Sequence, residues 1–342
     1  MQRRRFLSTT LASSIAATLG APLVSHAQGT LTPIKFTLDF RVTSQTSPFF
    51  LAQAKGYYRD EGLDVSIDVG AGSVASITRV ASGAYDIGLG DISSLAEFHA
   101  QNPDTPVQAI YQYYNRAPFV IIGRKDRGIT SDFQSLKGKK VAAAAVESTR
   151  RSWPMVARAL NTSPELFSWV TTDFSARDNV VVRGDVDAAT YFHDSAVSLF
   201  ARMPPKDLAV LEYNKAGLNL YGNAILAGKL LQDKPDAARA FLRASHRALR
   251  ETLANPEAAF AAIKAREAIL NMDVERERWA ITRQYLQTAE TAAVGLGGQQ
   301  PAVLAHQIDE VAAVFNLSRK PAPERVFNPA FLPALADRKG VA

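Results

Sequence analysis

The chain has 342 residues, 47% hydrophobic and 21% charged, enough for one large domain or two modest ones with a substantial core. It contains no cysteine, which excludes disulfides, thiol nucleophiles and cysteine-ligated metals. The formal charge of +6 falls to +3, 36 basic against 33 acidic residues, once the first 27 residues are set aside, too small an excess to argue for nucleic-acid binding.

Those 27 residues read as a removable export signal. Arg3, Arg4 and Arg5 precede a weakly apolar stretch rich in Ser, Thr and Ala, and Ser25-x-Ala27 supplies a small-residue cleavage pattern. The paired arginines before Phe6-Leu7 resemble a twin-arginine export motif. A mature chain starting near Gln28 is expected in the periplasm, and no later stretch reaches the roughly 18 apolar residues of a membrane span.

In "IKFTLDF", residues 34–40, Ile34, Phe36, Leu38 and Phe40 alternate as in a strand. Ser47-Pro48 then opens a helix that Gly56 can close. A second strand covers 63–69. The next helix, 73–82, has Val74, Ile77, Val80 and Ala81 on one face, and a third strand follows Gly83. This β-α-β-α-β order implies parallel strands with right-handed crossovers.

The order recurs over "KKVAAAAV", "STRRSWPMVARAL", "SWVTTD", "SARDNVVVRG" and "VDAATYF". It recurs even in register, since Val80-x-x-Gly83-x-x-Asp86-x-Gly88 matches Val181-x-x-Gly184-x-x-Asp187-x-Ala189. Two lobes of similar build follow. Strand-like segments at 107–124 and 218–228 carry the chain between them. From Pro235 the pattern is helical, and because two crossings return the chain to its starting side, these helices are expected to cover lobe one.

Gly70-x-Gly72-x-x-Ala75, with Asp91 at 21 positions after Gly70, has the outline of a dinucleotide fingerprint and raises a nicotinamide-dependent oxidoreductase as a rival. The chain shows no convincing Lys/His pair for hydride and proton transfer. His26, His99, His193, His246 and His306 also lack the short spacing of a zinc site. No cofactor and no metal are expected. His193-Asp194 resembles half a dyad, but neighbours on a strand point to opposite faces.

"LDF", "FFLAQAKGYYRDEGLDVSIDVGAGS", "VASGAYDIGLGD", "SLKGKKVAAA", "GDVDAA" and "VFNPAFLPA" together resemble the periplasmic solute-binding proteins of the nitrate/sulfonate/taurine and thiamine-precursor (NMT1-like) group. The resemblance spans residues 33 to 333 and implies an α/β fold of type II periplasmic-binding-protein kind. Each lobe is then a mainly parallel sheet flanked by helices: residues 28–119 with 224–342, and residues 120–223, with crossings near 117–122 and 221–225. It also implies a monomer that closes on a small molecule and delivers it to an inner-membrane ABC permease with its ATPase. Relatives of this fold that are enzymes, an aromatic sulfinate desulfinase and the fungal pyrimidine synthase of thiamine biosynthesis, rely on cysteines that this chain lacks. A binding role without catalysis is therefore expected, with a ligand-loaded sensor adaptor as a further alternative. Thiamine-precursor binders carry Trp after the first "LD", where this chain has Phe40 and Arg41.

Ligands in such sheets sit beyond the carboxyl ends of strands, which selects the candidate residues. On the first lobe these are Phe40, Arg41, Gln45, Gly72, Ser73, Asp91 and Ser93. On the second they are Glu147, Ser148, Thr149, Arg150, Tyr191 and His193, and at the crossings Tyr114, Arg116 and Asn223. In the resembling family the glycine turn forms the cleft wall, where helix N-terminal amides meet an anion or a carbonyl. Arg41, Arg116, Arg150, Arg151 and Arg177 recur at these edges, Arg150 and Arg41 being the first choices. Guanidinium groups can hold a carboxylate or sulfonate through paired hydrogen bonds. Phe49 and Phe192 read as core, while Tyr114 and Tyr191 can offer a hydroxyl. The ligand expected is a small organic anion such as an aromatic carboxylate or sulfonate, with a thiamine-precursor pyrimidine or other heterocycle as the alternative.

Overall fold

The computed structural model describes residues 30–340. The export signal expected over 1–27 lies outside the described residues. The first sheet has the order β2-β1-β3-β10-β4, built from β1 (Thr32–Thr37), β2 (Leu63–Asp68), β3 (Ile87–Asp91), β4 (Gln108–Gln112) and β10 (Asn223–Ala227). The second has the order β7-β6-β8-β5-β9, from β5 (Phe119–Arg124), β6 (Lys140–Ala143), β7 (Ser168–Thr171), β8 (Ala188–Phe192) and β9 (Leu208–Glu212). In each sheet the first three strands are parallel and one antiparallel strand, β10 or β5, is inserted beside the third. The α/β class and two-sheet architecture expected from the sequence are present.

The internal repeat is visible at atomic level. Gly83 and Gly184 both stop a helix at φ +77° and +79°. Three residues later Asp86 accepts the backbone N–H of Lys35 at 2.8 Å, and Asp187 accepts that of Lys140 at 2.8 Å. Each acid thus ties down the opening strand of its own β-α-β-α-β unit, within β1 at Lys35 and at the first residue of β6, Lys140. β1 shows the expected alternation, with Ile34 and Phe36 buried and Lys35 exposed, but it ends at Thr37, so Leu38 to Phe40 are loop. β9, the edge strand of the second sheet, was not anticipated.

The helices that matter for the site are α1 (Ser47–Ala54), α2 (Ser73–Ala81), α3 (Ile92–Gln101), α4 (Ser148–Ala159) and α5 (Arg177–Arg183). The C-terminal part adds α6 (Pro235–Ala254), α7 (Glu257–Arg266), α8 (Met272–Leu286) and α9 (Pro301–Val314). α6 and α7 pack on α1 of the first lobe, as expected. α8 and α9 also reach the second lobe, touching the 193–196 turn and α4 respectively.

The chain passes between sheets over 113–118 and 213–222, and the two crossings are hydrogen-bonded to each other (Ala117 N–H to Leu220 O, 2.7 Å; Gly222 N–H to Tyr114 O, 3.0 Å). One apolar core runs through both lobes, from Ile77 and Leu95 through Ala117, Leu220 and Tyr221 to Ile121 and Trp153.

Candidate functional site

Two glycines shape the first wall. A Cβ on Gly70 would lie 2.0 Å from the carbonyl oxygen of Leu38, so only glycine lets this turn press against the 38–40 loop. Gly72 has φ +107° and precedes α2, with its N–H held by Asp39 O at 2.7 Å. No side chain caps α2, so its first-turn amides, positive in partial charge, have no side-chain partner there. α4 likewise begins without a side-chain cap after Glu147.

Between these helix starts lies a small cleft, lined on the first lobe by Asp39, Phe40, Gln45, Gly72 and Ser73. The second lobe contributes Glu147, Ser148, Thr149, Phe174, Arg177, Phe192 and Ser195. The lips are in contact. Phe40 and Phe174 meet edge to face at 5.0 Å, and Arg151 of α4 donates to both carboxylate oxygens of Glu97 on α3.

The charged groups are arranged unevenly. Glu147 and Arg177, each 5% exposed, pair at 3.2 Å. The Thr190 hydroxyl also donates to Glu147. Burial raises the Glu147 pKa, with Arg177 acting in the opposite sense. The Arg177 guanidinium lies 4.1 Å over the Tyr191 ring and 5.3 Å over Phe174, while its Nε has no partner. On the opposite wall Asp39 takes a hydrogen bond from Asn223 Nδ2 at 2.6 Å on one oxygen and has none on the other. Burial pushes its pKa up to about 7; the Asn223 bond opposes this, and the nearby Asp194 and Asp91 reinforce it. The Gln45 side-chain oxygen and the Ser148 hydroxyl are also buried and unpartnered. Buried polar atoms normally find partners, and these on the cleft have none.

Of the candidate residues, Phe40, Gln45, Gly72, Ser73, Glu147, Ser148 and Thr149 come together on the cleft. The others do not line it. Arg41 is exposed and stacks on the Phe40 ring at 4.7 Å. Arg150 turns to Thr171 (3.0 Å) and the Trp169 ring (5.0 Å). Arg116 lies over Tyr285 and donates to Gln284 O.

The expected free hydroxyls are both engaged, Tyr114 donating to Asp194 at 2.5 Å and Tyr191 to Asp178 at 2.8 Å. Asp91 caps α3 through Ser94 N–H (2.9 Å), and its pKa is raised to about 6 by burial. Ser93 accepts from Gln307, and His193 pairs with the Tyr285 hydroxyl at 2.9 Å. Asn223 acts one step back, by holding Asp39.

Asp39, Phe174, Arg177, Phe192 and Ser195 are the lining residues outside the candidate set. In the sequence Arg177 stands among the edge arginines and Phe192 reads as core. Asp39 stands in the "LDF" segment itself.

Behind the cleft, α8 ties the two walls together. Glu275 accepts the Ser44 N–H at 2.6 Å on the first lobe. One turn on, Arg278 donates to Asp194 O at 2.8 Å and Thr282 to the Asp194 carboxylate at 2.9 Å on the second.

The family model described as NMT1/THI5 like matches residues 43–259. The chain is 25% identical over 261 residues, 71% of its length and 73% of the relative's, to a 4-amino-5-hydroxymethyl-2-methylpyrimidine phosphate synthase of Aspergillus parasiticus. It is 25% identical over 254 residues to the riboflavin-binding protein RibY of Chloroflexus aurantiacus, covering 72% of this chain and 69% of that one. Among solved structures it is similar to the periplasmic aliphatic sulphonate binding protein SsuA of Escherichia coli, with a TM-score of 0.65 at 15% identity over 88% of this chain and 99% of that one. The fold is that of the periplasmic binding proteins.

Proposed function

We propose that this chain, which belongs to the NMT1/THI5-like family, is an exported solute-binding protein that closes on a flat heteroaromatic molecule and hands it unaltered to an ABC permease. The observation that carries the reading is the cleft itself. It lies between two lobes, is walled by Phe40, Phe174 and Phe192, and is edged with buried polar atoms that lack partners. Rings stack well between such walls, and ligand contacts to both lobes favour the closed form.

A heterocycle fits these walls better than the organic anion expected first. Among the described residues Arg177 is the one arginine lining the cleft, and one of its terminal nitrogens is paired with Glu147. The family relatives support the same class, since one is named for a pyrimidine and another for riboflavin. A synthase among them raises catalysis as the rival. Among the described residues no histidine or lysine lines the cleft, and the histidine nearest in sequence to its residues, His193, is bonded to Tyr285.

A thermal-shift screen of the mature protein against aminopyrimidines, flavins, aromatic carboxylates and alkanesulfonates tests the reading. A true ligand at a hundred times its Kd adds about 2.7 kcal/mol to stability. The account expects a heterocycle to give the largest shift and to be recovered from the protein chemically unchanged. Conversion of that compound on incubation would replace binding by catalysis, and a best hit among the sulfonates would restore the anion.

A further inference from the structure

The unpartnered side chains on the two walls of the cleft differ in hydrogen-bonding sense, although the uncapped start of α2 adds main-chain donors to the first wall. On the second lobe the open groups include donors, Arg177 Nε and the Ser148 hydroxyl at the uncapped start of the twelve-residue α4. On the first lobe the open side-chain atoms that line the cleft are acceptors, one carboxylate oxygen of Asp39 and Oε1 of Gln45. Both residues are nine-tenths or more buried, at 5% and 3% exposure.

The Asp39 side chain is also fixed in place. Asn223, fully buried on β10, donates to its second oxygen, and the Gly72 N–H bonds to its main-chain carbonyl. Among the ionisable residues lining the cleft, Glu147 and Arg177 neutralise each other, which leaves Asp39 as the uncompensated charge.

We infer that Asp39, with Gln45 beside it, is a specificity-determining subsite that selects ligands presenting an N–H-rich edge, such as an exocyclic amino group, and turns away carboxylates and sulfonates. This rests on the cleft-binding reading and adds the polarity and orientation of the guest: amino edge to the first lobe, carbonyl or other acceptor to the second. A carboxylate has only acceptor sites when ionised. An amino group satisfies it, whereas an anionic substituent placed there leaves both charges unpaired.

Groups around Asp39 reinforce the preference. Asp91 at the end of β3 and Asp194 on the 193–196 turn add like charge. Tyr113 and Tyr114 of the crossing have their hydroxyls engaged with Gln45 O and Asp194. Arg278 is paired with Glu275 and Arg177 with Glu147, neither of them with Asp39, and Arg41, two residues on, lies over the Phe40 ring. Burial also sets the carboxyl to titrate near neutrality. Binding that needs its ionised form then weakens by about 100-fold from pH 8 to pH 5, a factor of ten for each pH unit below the transition.

The test is calorimetry of the mature protein with cytosine, adenine, benzoate and butanesulfonate, on wild type, Asp39→Asn and Gln45→Met, from pH 5 to 8. Wild type should bind an aminated base and not the two anions. Asp39→Asn should lose about 10- to 100-fold in affinity for the base, the range of a hydrogen bond to a charged group, and its affinity for adenine should be flat with pH. Gln45→Met, which keeps the carboxylate, should weaken the base but retain the pH profile.

If benzoate or butanesulfonate binds wild type better than the bases do, the subsite assignment is overturned while cleft binding stands. A wild-type pH profile that survives Asp39→Asn overturns it equally. Failure of all four probes and of the wider screen would overturn the cleft-binding reading, and this inference with it.

Discussion

Replacing Asp39 by Asn in the ligand-free protein is expected to stabilise it at pH 8, by up to about 4 kcal/mol. The magnitude follows from the carboxyl's displacement by burial, from an ordinary 3.8 to about 7, at about 1.4 kcal/mol for each pH unit of displacement. A carboxyl whose native pKa lies above its unfolded value holds its proton more tightly when folded. The native state is therefore penalised above pH 7, and the penalty fades as pH falls towards 4. Asn is close in shape, can still accept from Asn223 and carries no charge at any pH. The gain should thus be largest at pH 8, smaller at pH 6 and near zero at pH 4. Urea unfolding midpoints at the three pH values, compared at equal slope, measure it. A gain that does not change with pH, or a loss at pH 8, would refute the claim that an ionised, poorly partnered Asp39 is held at the cleft. Stability gained there at the expense of ligand affinity is the usual exchange at a functional site.

Three further expectations follow from the same geometry. Glu147→Gln should cost about 3 to 5 kcal/mol because it strands the buried Arg177 guanidinium, whereas Glu147→Gln with Arg177→Met should cost less than the two single changes summed; additive losses in denaturant melts would show that the pair is not coupled. Gly70→Ala should prevent the 38–40 loop from seating, since the added carbon would meet Leu38 O at 2.0 Å, and a folded variant with unchanged melting and binding would contradict this. Glu97→Gln removes the partly exposed interlobe pair with Arg151 and should speed ligand release only a few-fold, as befits about 1 kcal/mol; stopped-flow dissociation showing no change would remove the pair from the closed state.

Much of the fold is legible in local pattern. The β-α-β order, the glycine stops and the matched acids Asp86 and Asp187 each depend on neighbours within one supersecondary unit, and the structure has all of them. The cleft was legible where backbone dictates position, at the Gly70–Gly72 turn and at the helix starts Ser73 and Ser148. It was not legible where side-chain direction decides. Successive residues on a helix turn by about 100°, so Ser148 and Thr149 line the cleft while Arg150, one position on, faces Trp169. Asp39 is hidden from the pattern because apolar alternation runs on through Phe40 in the sequence, whereas β1 ends at Thr37 and the side chains beyond it follow the loop. Phe174 and Ser195 lie outside regular strands and carry no periodic signal. The brace made by α8 joins Ser44 to Glu275 across 231 residues of sequence, a distance over which local pattern carries no information.

The central claim is that the lobes close over a bound heterocycle, and small-angle X-ray scattering of the mature protein with and without the most stabilising compound tests it directly. The account predicts a smaller radius of gyration in the saturated protein and a scattering curve matching the contacting lips seen between Phe40 and Phe174. A radius of gyration identical with and without saturating ligand would contradict it.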